Sequence, residues 1–201
     1  NRKCECGLMS FMLLGILNAQ ASGGGGPAYE LLESVTLSSP ASSVTFSGLD
    51  SYSDYKSLQI RMVTRFDTSG FASHYMNFNA DEGANYTTHR LLGNGSSVSS
   101  YHFGTEDYIR LGDSERLTQS VADSFAPTIV DLLDFASTTK TTTARVLNGR
   151  TGGVSGASPR MNLSSGLWTS TDAVTSISFG LPTVGSVNYV AGCRFSLIGV
   201  R

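Results

Sequence analysis

The sequence predicts an all-β domain, an antiparallel sandwich of jelly-roll type, preceded by an extended N-terminal arm. Two observations carry this from Pro27 onward: apolar side chains recur with a period of two, and turn residues interrupt them at short intervals. Composition is the third. Charged residues make up 15% of the 201, against about 25% in an average chain, and Ser, Thr and Gly take their place. A chain poor in Lys, Glu and Arg lacks the residues that favour helices. The length suits one domain of residues 27–201 plus a tail of residues 1–26.

The elements follow in order. Tyr29, Leu31, Val35 and Leu37 are expected on one face of a first strand, and Val44 and Phe46 inward on a second. Leu58, Ile60, Met62 and Phe66 share a face, with Gln59, Arg61 and Arg65 on the other. Met76 and Phe78 alternate again. Further strands are expected over Thr87–Leu92, Tyr108–Leu111, Thr128–Phe135, Thr142–Leu147, Val174–Phe179 and Arg194–Val200, nine or ten in all. Asn94-Gly95 and Asn148-Gly149 read as hairpin turns, because both residue types tolerate positive φ. The glycines at 152, 153 and 156, with Ser158-Pro159, mark a looser loop before Trp168. Leu111–Val121 has room for one helical turn at most, and the chain has no internal repeat.

The first 26 residues differ in kind. Leu8, Met9, Phe11, Met12, Leu13, Leu14, Ile16 and Leu17 form an apolar run that leads into Gly23–Gly26. Arg2 and Lys3 before the run and Ala19-Gln20-Ala21 after it imitate a secretory signal. The run is about half of the roughly 20 residues that a membrane span requires. It reads as an arm on a glycine hinge that buries its side chains on a neighbour, at about 1.5–3 kcal/mol each.

Few patterns point to chemistry. The formal net charge is −2, and Arg61, Arg65, Arg90, Arg110, Arg116, Arg145 and Arg150 are scattered, which gives no footprint for nucleic acid. Cys4, Cys6 and Cys193 are odd in number and lack metal or redox spacing; reduced thiols are expected, with Cys193 acting as a small hydrophobe in a core strand. His74, His89 and His102 form no i, i+4 pair, although the last two approach each other across the Asn94-Gly95 hairpin. Neither a nucleophile elbow nor a phosphate loop occurs, so no cofactor, metal or catalytic residue is expected. Asp81, Asn85, Tyr86 and Trp168 are the candidate binding residues. The turn Asp81–Asn85 offers oxygen ligands beside a glycine, and Trp168 is either a platform for stacking on sugar or a large core anchor.

Several blocks resemble a group of tailed-phage structural proteins found mainly in aquatic phages. They are Tyr29–Ser39, Ala41–Leu49, Asp54–Arg61, the stretch from Asn77 to Gly95, and Gly192–Arg201. Leu13–Gln20 with its glycines is similar to a leader carried by several such proteins, which sets the expected start at Met9, after Asn1–Gly7. The resemblance implies a component of the virion, a head, neck or tail appendage or decoration protein held by its arm. The expected partners are other virion proteins and sister copies in a homotrimer. The alternative is a host-glycan-binding module at a receptor-binding tip.

Overall fold

The structure is a computed structural model and describes residues 27–68, 73–113, 115–116, 123–151, 159–181 and 187–201. The arm residues 8–17, Cys4, Cys6 and the glycine-rich loop 152–158 lie outside the described residues.

The strands are β1 Tyr29–Thr36, β2 Ser43–Ser47, β3 Ser57–Phe66, β4 Ser73–Phe78, β5 Tyr86–Gly93, β6 Val98–Glu106 and β7 Ile109–Asp113. After them come β8 Glu115–Arg116, β9 Ala126–Leu133, β10 Thr142–Arg150, β11 Arg160–Trp168, β12 Ser176–Gly180 and β13 Arg194–Val200. They form two sheets. The wide one runs β1-β13-β3-β9-β10-β11-β5-β6, with β8 beside the end of β3, and the narrow one runs β2-β12-β4-β7. Every pairing is antiparallel except β3–β8. The expected all-β sandwich is what the chain forms. Among the described residues the one helical piece is a 3-10 turn at Leu49–Tyr52, and Leu111 lies in β7.

Eight of the strands divide evenly between the two sheets. Numbered in chain order without β5, β6, β8, β10 and β11, they pair 1-8-3-6 in one sheet and 2-7-4-5 in the other. The hairpins β5–β6 and β10–β11 are insertions, and they widen the first sheet beyond β9.

The core between the layers is where alternation placed it. Phe46, Leu58, Ile60, Phe66, Met76 and Phe78 are wholly buried, and Met62 nearly so. The free Cys193 is buried and accepts a hydrogen bond from the Arg65 amide. Asn94 closes the β5–β6 hairpin: its Oδ1 accepts from the amides of Ser96 and Ser97, and Gly95 takes φ +90°.

Two expectations change. A bulge between Leu31 and Glu33 breaks the period of β1. Tyr29 and Leu31 are therefore exposed, while Leu32, Val35 and Leu37 pack on the core. Asn148-Gly149 is not a turn. It continues β10, because the buried Asn148 donates to Thr128 Oγ1 and accepts from Asn162 Nδ2, which holds it between strands. β11 is not among the expected strands, because its alternating apolar residues lie on the side away from the core.

Candidate functional site

The four candidate binding residues do come together, at the end of the sandwich where β4 turns into β5. Asn79 and Ala80 adopt φ near +54° (53° and 54°) and reverse the chain. Asn79 Oδ1 fastens the turn to the amides of Thr175 and Ser176. Asp81 is its hub. Its Oδ2 accepts from Trp168 Nε1 at 2.7 Å, and its Oδ1 accepts from the Gly83 amide at 2.8 Å. Asn85 Nδ2 donates to both oxygens. The Trp168 hydrogen bond is the largest influence on the carboxyl and holds it below the ordinary carboxylate range.

Tyr86 and Trp168 are register partners on β5 and β11, and their rings stack at 15° with centroids 6.3 Å apart. Phe78 packs against both. Tyr86 is 0% and Trp168 1% exposed. The Tyr86 hydroxyl accepts from the Phe78 amide and donates to main-chain carbonyls, and burial raises its pKa. Stacking on a sugar requires an open ring face, and these two are enclosed. Trp168 is a core anchor, and Asp81 supplies the acceptor its indole requires.

A second polar cluster lies inside the sandwich. His74 Nε2 meets Thr128 Oγ1 at 3.4 Å, and the Thr128–Asn148–Asn162 chain runs on from there. Burial depresses the His74 pKa to about 4, with Asp113 opposing that shift. Asp113 itself is held by Arg160 at 2.8 Å and Ser73 at 2.8 Å.

Several other carboxylates have partners within the chain. Glu106 pairs with Arg110, Asp134 with Lys140, and Glu30 with Arg201. Asp67 accepts from Asn188, and Asp131 from Gln59. His89 and His102 face each other across β5–β6, ring centroids 6.3 Å apart. Among the described residues no group of three His, Cys, Asp or Glu is placed to hold a metal, and no helix is long and apolar enough to cross a membrane.

The chain matches nothing it was compared with. Family models, curated proteins and solved structures all give no match.

What sequence reasoning missed is a surface. The outer face of the narrow sheet is polar, with Ser43, Thr45, Ser47, Ser178 and Asn77 in register, and Thr45 bonded to Ser178. The outer face of the wide sheet is not. Ile129, Leu147, Leu163 and Leu91 stand in one row across β9, β10, β11 and β5. Their exposures are 36%, 49%, 55% and 48%, and Met161 beside them reaches 65%. The signal was present in Met161, Leu163 and Leu167, which alternate, but on the side facing away from the core.

Proposed function

We propose that this chain is a structural, non-enzymatic component of a bacteriophage particle, a head or tail appendage or decoration protein. Its apolar arm, residues 8–17, joins it to the particle, and copies assemble as a homotrimer. The observation that carries the reading is where the phage-like blocks fall. Three of the five, Tyr29–Ser39, Asp54–Arg61 and Gly192–Arg201, contribute β1, the start of β3 and β13, which are hydrogen-bonded neighbours at one edge of the wide sheet, while Ala41–Leu49 carries β2 and the stretch from Asn77 to Gly95 the end of β4 and β5.

The strand order adds support. With β5, β6, β8, β10 and β11 set aside, the pairing 1-8-3-6 against 2-7-4-5 is compatible with the expected jelly roll, an architecture of viral capsid and lectin domains. A fold hosts many functions, so the blocks, not the fold, select among them. The host-glycan alternative rested on Asp81, Asn85, Tyr86 and Trp168, and their enclosed rings do not favour it.

Replacing Leu13 and Leu14 by Asp in the encoding phage tests the attachment. The variant chain is expected in the soluble fraction and missing from density-banded particles. Incorporation at the wild-type level refutes the role of the arm.

A further inference from the structure

The outer side of the wide sheet changes from polar to apolar half-way across it. In β3 and β9 the core side carries Leu58, Ile60, Val130 and Leu132, as a water-facing sheet requires. In the inserted strands β10, β11 and β5 the buried positions mix the polar Asn148, Asn162, Ser164 and Thr88 with the apolar Ala144, Val146, Trp168 and Tyr86, while Leu147, Met161, Leu163 and Leu91 face out. A contiguous row of exposed apolar side chains on a sheet face marks a contact surface.

We propose that the outer face of the wide sheet is the contact between copies of this chain, centred on the row Ile129–Leu147–Leu163–Leu91. The area suits it. Eight strands at about 4.8 Å, each about seven residues long, give a face of roughly 34 by 23 Å, or about 800 Å², the share of one partner in a standard interface. Charge suits it too. The next row holds Asp131 and Arg145 as cross-strand neighbours. Arg61 Nε bonds to Gln59 Oε1, and Gln59 Nε2 to Asp131, each at 2.7 Å.

A rotation axis parallel to the strands, above the β9–β10 seam, carries Asp131 of one copy toward Arg145 of the next and Ile129 toward Leu147. Closed rotational symmetry is the usual arrangement; across a two-fold axis the whole face is covered, whereas about a three-fold axis copies meet only along the β9–β10 seam. The shape agrees. Leu147 stands between a hollow of about 440 Å³ beside Leu163 and Leu91 and another of about 380 Å³ beside Arg61 and Ile129. The arm is the competing occupant, but its run from Leu8 to Leu17 has no charged residue to answer Asp131 and Arg145.

Light scattering on the full chain tests the contact. Wild type is expected at two or three times its 21.3 kDa. Leu147→Asp with Leu163→Asp should give 21.3 kDa with an unchanged far-UV spectrum, and the milder Leu163→Ser should weaken association. Asp131→Arg and Arg145→Asp should each weaken it about tenfold or more, and together restore it. A monomeric wild type at about 100 μM, a Leu147→Asp/Leu163→Asp variant that keeps the oligomer, or loss of the oligomer in Leu13→Asp/Leu14→Asp overturns the proposal. The contact rests on the assembly reading only in expecting copies to meet. A monomer that still enters particles would remove the contact and leave the virion reading standing.

Discussion

Acid should loosen this fold between pH 6.5 and 4, and His74 should be the cause. The ring is fully buried, and desolvation of its charged form depresses the folded pKa to about 4 from an ordinary 6.5. The unfolded chain therefore binds the proton more readily, so stability rises with pH across that window and is lost as pH falls through it. Integrating between the two values gives a loss of about 2 kcal/mol on going from pH 7 to pH 4.5. In urea this lowers the midpoint by roughly 1 M. Glu30 and Asp81 are held below the ordinary carboxylate range, chiefly by Tyr55 and Trp168, so their contributions fade only at lower pH. Urea titrations followed by Trp168 fluorescence at both pH values measure the effect, and His74→Gln should flatten it. Equal midpoints for the wild type at pH 7 and 4.5, or an unaltered pH slope in His74→Gln, refute the reasoning.

Three substitutions probe other parts of the framework. Asp81→Ala strands the buried indole N–H of Trp168 and should cost about 2 kcal/mol, read as a lower melting temperature with altered near-UV dichroism. Gly166→Ala drives a methyl to 2.5 Å from Ile109 Cγ2; a loss of about 1–3 kcal/mol is expected, smaller in an Ile109→Ala background that lacks the clashing methyl, and a neutral result means the layers are not this close. Gly112 has φ +106°, and a Cβ there would lie 2.6 Å from Asn148 Oδ1. Gly112→Ala should therefore destabilise more than Gly93→Ala, where a Cβ meets nothing within 4 Å. Equal thermal shifts would discount the Asn148 network.

Particular strands explain what was legible. β3 alternates Leu58, Ile60, Met62 against Gln59, Arg61, because one side meets the core and the other does not, and the sequence shows it directly. β1 misled by one bulged residue, since a shift of one sends every later side chain to the opposite face. β11 was hidden because its buried positions before Trp168 are Asn162, which bonds to Asn148, and the small Ser164 and Gly166, the last close to Ile109, rather than apolar side chains. Asn148-Gly149 imitates a turn for the same reason: the Asn is spent on Asn162 and Thr128, partners distant in sequence. Asp81, Asn85, Tyr86 and Trp168 were legible as a group but not as a role, since only packing reveals that Trp168 and Tyr86 stack inward.

The most direct test of the account is to count this chain in density-banded particles of the phage that encodes it, by quantitative mass spectrometry. The account predicts a fixed copy number per particle, a multiple of three, that survives repeated banding. A chain abundant in infected cells and missing from banded particles contradicts it.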